Sequence, residues 1–238
     1  MSKPIEAELK YLVQDDFDLI NFILYLVDNG FTVNRVEHMT NEDTYYDTPD
    51  KELLKNGGSL RIRKTNKSKI KGTLKYPIDS NEVYTKRLEI EKSLEDKSFT
   101  ELMSKLSGSQ YDLKNICPYP ILTINTNRQE ITLSKNNNFI ALAFDIIDYD
   151  GKAFDQMMEI ELKGDSNPET LTEIDKLVQE KFNLKPTKQS KYKRGIEQTK
   201  LATLTRRHPW KSVFLLKTYI FYTFLSRKAW IIKKNLLY

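Results

Sequence analysis

The sequence predicts an α+β fold built on a large antiparallel sheet or barrel. About eight or nine runs rich in β-branched and aromatic residues are separated by short clusters of Asn, Gly, Ser, Asp or Pro, which is typical of strands joined by hairpins. Few segments have the spacing of amphipathic helices. A third observation is that charged and apolar residues alternate in four of the strands.

The strands are predicted in order along the first 200 residues. The first is "IEAELKY", residues 5–11, and the segment "SKNNNF" is predicted to be a hairpin turn between two later strands. The remaining strands are predicted at residues 31–46, 59–64, 70–76, 83–92, 121–128, 130–134, 139–148 and 153–163.

Helices are predicted at four places between and after these strands. Aspartates at 15, 16 and 18 precede apolar residues at helical spacing, and Gly30 ends this first helix. A second helix is predicted at Ser98–Leu106. Asn167 and Pro168 precede an amphipathic pattern that predicts a third helix, and a last helical turn is predicted at residues 190–197.

The composition narrows the possible classes of protein. With 238 residues, 39% hydrophobic and 30% charged, the chain can bury one sizeable core and is too charged for an integral membrane bundle. The single Cys117 and the lack of a leader-like amino terminus predict a cytoplasmic location. One cysteine and two distant histidines do not suggest a zinc cluster or a Cys-His mechanism. Chemistry is therefore expected from carboxylates, lysines and arginines.

The net charge of +5 is concentrated at one end of the chain. Residues 201–238 contain eight Lys or Arg and no Asp or Glu, which leaves 30 basic and 33 acidic residues in 1–200. A boundary is therefore predicted near Lys200, between an acidic body and a basic, aromatic-rich extension. No nucleic-acid partner is expected, and the oligomeric state is not predicted.

The extension contains an apolar stretch, residues 212–226, that would be about 22 Å long as a helix. This is shorter than the hydrocarbon core of a bilayer, about 30 Å, so a transmembrane span is not predicted. Peripheral contact with an anionic membrane surface is one hypothesis for this stretch. Packing on the body, contact between copies, and a poorly evolved extension are the alternatives.

The alternation of charged and apolar residues points to function. In residues 5–11, Glu6, Glu8 and Lys10 share one face, and the same arrangement recurs in "LRIRK", "KRLEIEK" and "MEIELKG". On pattern alone two interpretations stay open. The charged faces could be solvated faces of an open sheet, with cross-strand ion pairs contributing about 0.2–1 kcal/mol each. They could instead line a closed barrel that holds water, metal ions and a polyanion.

Seven segments, in order, resemble the CYTH domain, the triphosphate tunnel metalloenzyme family. They are "IEAELK", "TYYDTPDKELLKNGGSLRIRK", "TLKYP", "KRLEIE", "AFDIIDYDGKAF", "MMEIELKG" and "TKQSKY". Glu6, Glu8 and Lys10 match the ExExK signature of that family, and the resemblance covers about residues 3–197. It implies a closed, antiparallel, eight-stranded β-barrel that forms a tunnel, with helices packed outside.

The resemblance also implies a site that binds a triphosphate and Mg²⁺ or Mn²⁺. Guanidinium and ammonium groups bind phosphate oxygens, and carboxylates bind these ions. The implied substrate-binding residues are Lys10, Arg61, Arg63, Lys75, Arg87, Arg128, Lys163, Lys188 and Lys191. The implied metal ligands are Glu6, Glu8, Glu159 and Glu161, supported by Glu89, Glu91 and Asp145. Those expected to be catalytic are Glu6, Glu8, Lys10, Arg61, Arg63, Lys75 and Arg87.

Some of these assignments depend on strand register. A shift by one residue would turn Arg128 and Lys163 to the outside of the barrel. Asp145 is preferred to its neighbouring aspartates because it ends an apolar strand where the family has its aspartate. Tyr45 and Tyr46 are predicted to be packing residues, and the lysine-rich run 64–71 a solvated hairpin.

The resemblance does not fix the reaction. Relatives hydrolyse tripolyphosphate, thiamine triphosphate or nucleoside triphosphates, and class IV adenylate cyclases make cyclic AMP and pyrophosphate from ATP in the same tunnel. A metal-dependent triphosphatase is favoured here, with a cyclase as the alternative. A non-catalytic polyphosphate-binding module is a second alternative.

Overall fold

A computed structural model describes residues 5–78, 83–107 and 113–204, and all structural statements concern these residues. The strands are β1 (Ile5–Leu12), β2 (Thr32–Tyr46), β3 (Ser59–Thr65), β4 (Ile70–Ile78), β5 (Thr85–Leu94), β6 (Leu122–Lys135), β7 (Asn138–Tyr149), β8 (Ala153–Lys163) and β9 (Lys185–Pro186). The helices are α1 (Leu19–Asp28), α2 (Glu52–Lys55), α3 (Phe99–Leu106), α4 (Glu169–Lys181) and α5 (Lys191–Leu204).

The first eight strands form a closed antiparallel barrel. Their order is β5-β4-β3-β2-β6-β7-β8-β1, and β1 also pairs with β5, which closes the ring. The closing contact is short and joins Ile5–Glu8 to Thr85–Leu88. The short β9 pairs with the end of β1. The predicted eight-stranded barrel is therefore confirmed, and the open-sheet alternative is wrong.

The apolar faces of the strands point outward and are covered by helices. In β1, Leu9 and Tyr11 are buried in this outer layer, and the Tyr11 hydroxyl donates a hydrogen bond to Asp175 of α4 at 2.6 Å. Helix α4 buries Ile174 and Val178. Because helices cover the outer faces of β1, β3, β5 and β8, the alternating charged residues of these four strands are left pointing into the barrel.

Helix α3 covers the outer face of β3, β4 and β5, where Leu102 packs with Leu60 and Leu74. Gly72 of β4 allows this close approach, since a Cβ atom there would lie 2.4 Å from Cδ1 of Leu102 and 3.3 Å from Cδ1 of Leu94. The Ser98 hydroxyl caps α3 by accepting a hydrogen bond from the Glu101 amide. The Leu102 side chain of α3 thus packs directly on the backbone of β4 at Gly72.

We expect the Gly72→Ala substitution to lower the free energy of unfolding by about 1–3 kcal/mol, because the new methyl group overpacks the contact with Leu102. Chemical denaturation of the single variants and of the double variant with Leu102→Ala measures this effect. In the Leu102→Ala background, adding Gly72→Ala should cost much less. An equal cost in both backgrounds would show that the effect does not come from this contact.

Several elements differ from the sequence predictions. The two strands predicted at 121–128 and 130–134 are a single strand, β6. The alternation of faces continues through the predicted break, because Arg128 and Glu130 point into the barrel and Gln129 is buried on its outer side. The short α2 and β9 were not predicted, because elements of two to four residues have no periodicity to detect. Helix α5 is longer than the single turn predicted at 190–197.

The predicted boundary near Lys200 lies close to the end of the described residues, and nearly all of the basic extension, residues 201–238, lies outside them, so both stay predictions. Helix α5 continues past Lys200 to Leu204. Among the described residues, none of the helices has the length and apolarity needed to cross a membrane.

Candidate active site

The barrel encloses a cavity of about 960 Å³ that is lined mainly by ionic side chains. Twelve lysines or arginines and eight glutamates line it, so the lining has a positive excess that favours a polyanion. On β7, the small residues Ala141 and Ala143 face this space and leave room in it. We call this cavity the tunnel.

Six glutamates on three neighbouring strands form an acidic wall of the tunnel. They are Glu6 and Glu8 of β1, Glu89 and Glu91 of β5, and Glu159 and Glu161 of β8. Glu8 lies directly opposite Glu161 in the pairing of β1 with β8. Carboxylates placed this closely repel each other unless cations lie between them.

Lysines neutralise part of the acidic wall. Lys75 of β4 contacts both carboxylate oxygens of Glu6 at 2.7 and 2.6 Å, and Glu89 at 3.4 Å. Lys10 lies 2.8 Å from Glu8, and Arg87 lies 3.5 Å from it. The 2.8 Å contact lacks hydrogen-bond geometry, so Nζ of Lys10 and Oε1 of Glu8 are buried without a hydrogen-bond partner in the described part of the chain.

The pKa values of the acidic wall reflect this balance. Burial, together with Glu8, Glu89 and Glu161, raises the pKa of Glu6 to about 7 despite the contact with Lys75. Burial likewise raises the pKa of Glu161, although Lys163 lies 2.7 Å away. Burial also acts to raise the pKa of Glu8, but Lys10 and Arg87 outweigh it and lower the pKa. Around Glu6 the wall therefore has more negative charge than Lys75 compensates, whereas at Glu161 burial itself is the main cause of the raised pKa.

A basic wall lies across the tunnel on β3 and β6, formed by Arg61, Arg63 and Arg128. Asp43 of β2, which is fully buried, holds two of these side chains. Arg63 donates two hydrogen bonds to its carboxylate, at 2.6 and 2.7 Å, and Arg61 a longer one at 3.4 Å. Asp43 is therefore a support for the arginines and is shielded from the tunnel by them.

Arg128 is supported in the same manner by Asp145 of β7. It donates two hydrogen bonds to this fully buried carboxylate, at 2.8 and 2.7 Å, and one to Glu159 at 2.9 Å. Lys191 of α5 reaches the same two carboxylates, at 2.8 and 2.6 Å. Although burial acts to raise it, the pKa of Asp145 is lowered, because Arg128 and Lys191 outweigh burial.

The first turn of α5 lies at one end of the tunnel. Tyr192 stacks on Tyr45, with ring centroids 4.9 Å apart, and its hydroxyl donates a hydrogen bond to the buried Asp47 at 2.9 Å. Gly195 lets the helix approach closely, since a Cβ atom there would lie 2.5 Å from Cδ2 of Leu122. These contacts place Lys191 of the same turn inside the tunnel.

The opposite end of the tunnel is lined by the β3–β4 hairpin. Lys67, Lys69 and Lys71 line this mouth together with Arg35 and Glu37 of β2. Lys67 and Arg35 each contact Glu37 at 2.7 Å. The hairpin is exposed, as its lysine-rich sequence predicts, but three of its lysines also belong to the tunnel.

A family model, the CYTH domain, matches residues 4–196. The chain belongs to the CYTH family. The PH1819 protein of Pyrococcus horikoshii is 24% identical, with a TM-score of 0.54 over 81% of this chain and 98% of that chain. A candidate adenylate cyclase of Bacillus halodurans is 21% identical, with a TM-score of 0.53 over 79% and 95%.

A third similar structure is HpAC1 of Hippeastrum, a candidate adenylyl cyclase with a dominant triphosphatase activity. It is 16% identical, with a TM-score of 0.54 over 81% of this chain and 95% of that chain. At these identities the likeness shows the fold alone. Comparison with curated proteins gives no significant match.

Most of the site residues predicted for this CYTH barrel line the tunnel, including Arg128 and Lys163, whose register was in question. Two do not. Lys188 lines a second cavity, and Asp145 lies behind Arg128 and Lys191 with its oxygens bound to them. Sequence reasoning also missed Asp43 and Tyr192, because neither lies in a charged alternation. Tyr45 lines the tunnel, whereas Tyr46 packs against Phe99.

The carboxylates of the CYTH tunnel are ligands of the type that binds a divalent cation, but the described ones are not arranged around a single metal position. Among the described residues, no group of three carboxylate, histidine or cysteine side chains has the arrangement of a metal site. However, the carboxylates crowded around Glu6, and Oε1 of Glu8, which has ion-pair contacts but no hydrogen-bond partner among the described residues, are what a hard cation would relieve. Lys75, Lys10 and Lys163 occupy the positions nearest to these oxygens.

Proposed function

We propose that this protein is a divalent-metal-dependent triphosphatase that acts inside the tunnel. The observation that supports this most is the division of one cavity into a wall of six glutamates and a wall of arginines. A triphosphate has about four negative charges, which need both guanidinium donors and a metal ion for binding. A tunnel with both kinds of group on opposite sides meets this need.

The residues of the chain have separate roles in this proposal. Arg61, Arg63 and Arg128 bind phosphate oxygens, and their supporting aspartates fix the direction of their forks. Lys75 and Lys10 neutralise negative charge on the departing pyrophosphate. Water attacks the terminal phosphorus, so no side-chain nucleophile is required.

Glu6, Glu8 and Glu161 would hold the ion, which we propose to be Mg²⁺ or Mn²⁺. When bound, the ion supplies Lewis-acid stabilisation of the charge that develops on the phosphate oxygens. Glu159, Glu89 and Glu91 complete the acidic wall around these ligands. Asp145 supports Arg128 and Lys191 in this scheme, since both of its oxygens are bound to them.

The aromatic residues favour hydrolysis over cyclisation. Among the described residues that line the tunnel, the aromatic ones are Tyr45 and Tyr192, and these stack on each other. An adenine base therefore has no free ring to stack on in this part of the chain. The dominant triphosphatase activity of HpAC1 agrees with this preference. The proposed ligand is a small triphosphate, and a cytoplasmic location is part of the same proposal.

Product analysis tests this proposal. Purified protein is incubated with tripolyphosphate, thiamine triphosphate and ATP, each with Mg²⁺ and with Mn²⁺, and we expect release of orthophosphate that stops when EDTA is added. Cyclic AMP and pyrophosphate from ATP would show a cyclase instead. Tight tripolyphosphate binding without turnover would show a non-catalytic binding module.

A further inference from the structure

Each of the three carboxylates that are proposed to hold the ion is paired with a lysine that also lines the tunnel. The pairs are Lys75 with Glu6 at 2.6 Å, Lys10 with Glu8 at 2.8 Å and Lys163 with Glu161 at 2.7 Å. We call these three the paired lysines. Mg²⁺ binds oxygen ligands at about 2.0–2.1 Å, so an ion and an ammonium group would approach the same oxygens and repel each other. Each paired lysine therefore competes with an ion for its carboxylate.

The pair of Lys10 and Glu8 is held without a hydrogen bond. Both side chains are buried, and although Nζ of Lys10 lies 2.8 Å from Oε1 of Glu8, neither atom has a hydrogen-bond partner among the described residues. Burial lowers the pKa of Lys10 even though Glu8 acts to raise it, so the carboxylate does not replace the hydration that the ammonium group loses. Lys10 is therefore held here by charge alone, and oxygens that accept hydrogen bonds from it would draw it away.

Two of the paired lysines can change partner without movement of the barrel. Lys10 and Glu8 are two residues apart on β1, and Lys163 and Glu161 are two residues apart on β8, so each pair shares one face of its strand. A lysine carries its ammonium group on a flexible four-carbon stem. Rotation of this stem is sufficient to move the ammonium group from the carboxylate toward a phosphate in the tunnel.

The metal ion and the triphosphate would then assist each other. An ion on Glu8 separates this carboxylate from Lys10, and a triphosphate offers oxygens that accept hydrogen bonds from the released ammonium group. Because such coupling is reciprocal, a bound triphosphate would equally favour binding of the ion.

We propose that the paired lysines are displaceable counter-ions, which hold carboxylates of the acidic wall until a divalent cation takes their place and which then bind phosphate oxygens of the substrate. Lys10 is the clearest case, because its ammonium group has no hydrogen bond to lose in the described part of the chain. This inference rests on the proposed function in one respect, namely that Glu6, Glu8 and Glu161 hold the ion.

The test is a titration of the full chain with Mn²⁺ alone, at about pH 8 and without any triphosphate, in which the EPR signal of free Mn²⁺ reports binding. The variant is Lys10→Met, which removes the ammonium group and keeps an unbranched apolar side chain. The matched control is Lys67→Met. Lys67 also lines the tunnel and lies 2.7 Å from a glutamate, but its partner Glu37 is not a proposed metal ligand.

We expect Mn²⁺ to bind about tenfold more tightly to Lys10→Met than to the parent chain, because a competing positive charge beside Glu8 has been removed. In Lys67→Met the affinity should stay within about twofold of the parent value, since this charge is about half exposed and screened by solvent. Lys10→Met is expected to fold, because Arg87, 3.5 Å from Glu8, still compensates this carboxylate.

A titration of the parent chain with Mg²⁺ gives a second measurement, which does not depend on the stability of a variant. In NMR spectra, the side-chain Cε signals of Lys10 and Lys163 should shift as Mg²⁺ saturates the site, whereas the signal of Lys67 should not. Shifts at the first two signals support displacement. Unchanged signals in a chain that binds Mg²⁺ would overturn the proposal.

The Mn²⁺ titration also has outcomes that contradict the proposal. Equal affinities of the parent chain and Lys10→Met would overturn it, and so would an equal gain in Lys67→Met, which would indicate a general effect of net charge. If tripolyphosphate hydrolysis depends on Mn²⁺ while these affinities are equal, this inference fails and the triphosphatase proposal stands. Absence of Mn²⁺ binding from the parent chain and the variant would overturn both.

Discussion

Replacement of Glu161 by glutamine is expected to lower kcat for tripolyphosphate by about a hundredfold or more without lowering the stability of the protein. The substitution keeps the shape of the side chain and removes one carboxylate from the proposed metal ligands, whose bound ion contributes several kcal/mol to catalysis. Glu8→Gln is expected to have the same effect on kcat, because Glu8 lies directly opposite Glu161. Initial rates across a Mn²⁺ titration measure both.

Stability separates this prediction from simple damage to the fold. Because burial raises the pKa of Glu161, its ionised form is less favourable in the folded than in the unfolded protein at neutral pH. Neutralising it should therefore maintain or increase the melting temperature. Glu8 differs, since Lys10 and Arg87 lower its pKa and its charge stabilises the fold. Glu8→Gln should therefore lower the melting temperature.

A matched control is Glu130→Gln, which alters a glutamate that also lines the tunnel but lies outside the acidic wall, 3.8 Å from Arg128. We expect it to retain most of the activity. Full activity in both Glu8→Gln and Glu161→Gln would contradict the assignment of the metal ligands. If Glu161→Gln loses activity because it unfolds, the stability prediction is contradicted. The metal-ligand assignment is then tested by the Glu8 variant alone.

The alternation in β1, β3, β5 and β8 was sufficient to predict which side chains share a face, because a strand places successive residues on opposite sides. Which face was solvated was not predictable from the pattern. The closure of the barrel decides which face is solvated. This closure is made by four residue pairs between β1 and β5, which are far apart in the sequence. The closed barrel was predicted from the order of the family-like segments and not from the periodicity.

The residues whose role the sequence alone does not decide are those that depend on what lies behind them. Asp145 was expected among the metal ligands, but its register opposite Arg128 buries both of its oxygens in a fork. Asp43 has the equivalent role on the other side of the barrel, where its register places it opposite Arg63. A carboxylate that supports an arginine and one that binds a metal have the same sequence signal, so only burial and pairing distinguish them.

Asp43→Asn is expected to lower kcat about tenfold or more while leaving KM unchanged or lower. The amide can accept a hydrogen bond through one oxygen, but its NH₂ group faces the donors of Arg63, so the fork that fixes this guanidinium is lost. Removal of a negative charge makes the tunnel more positive, which favours binding of substrate in the ground state. Loss of orientation therefore appears in kcat and not in KM.

The same substitution should lower the free energy of unfolding by about 1–3 kcal/mol at neutral pH, because buried donors of Arg61 and Arg63 lose their acceptor. Burial acts to raise the pKa of Asp43, but Arg63 and Arg61 outweigh it and hold the pKa below its usual value. The carboxylate therefore stabilises the fold above the unfolded pKa of about 3.9, and this contribution is lost as the pH falls further.

The stability difference between the parent chain and Asp43→Asn should accordingly be largest near neutral pH and become smaller below about pH 4. Glu42→Gln is the control, since this neighbouring residue of β2 lies on the surface, where it pairs with Lys97, and should change neither kcat nor the pH profile. A stability difference that stays constant from neutral to acid pH would contradict the ionic role of Asp43. A rise in KM with kcat unchanged would instead indicate that Asp43 contributes to substrate binding and not to the orientation of Arg63.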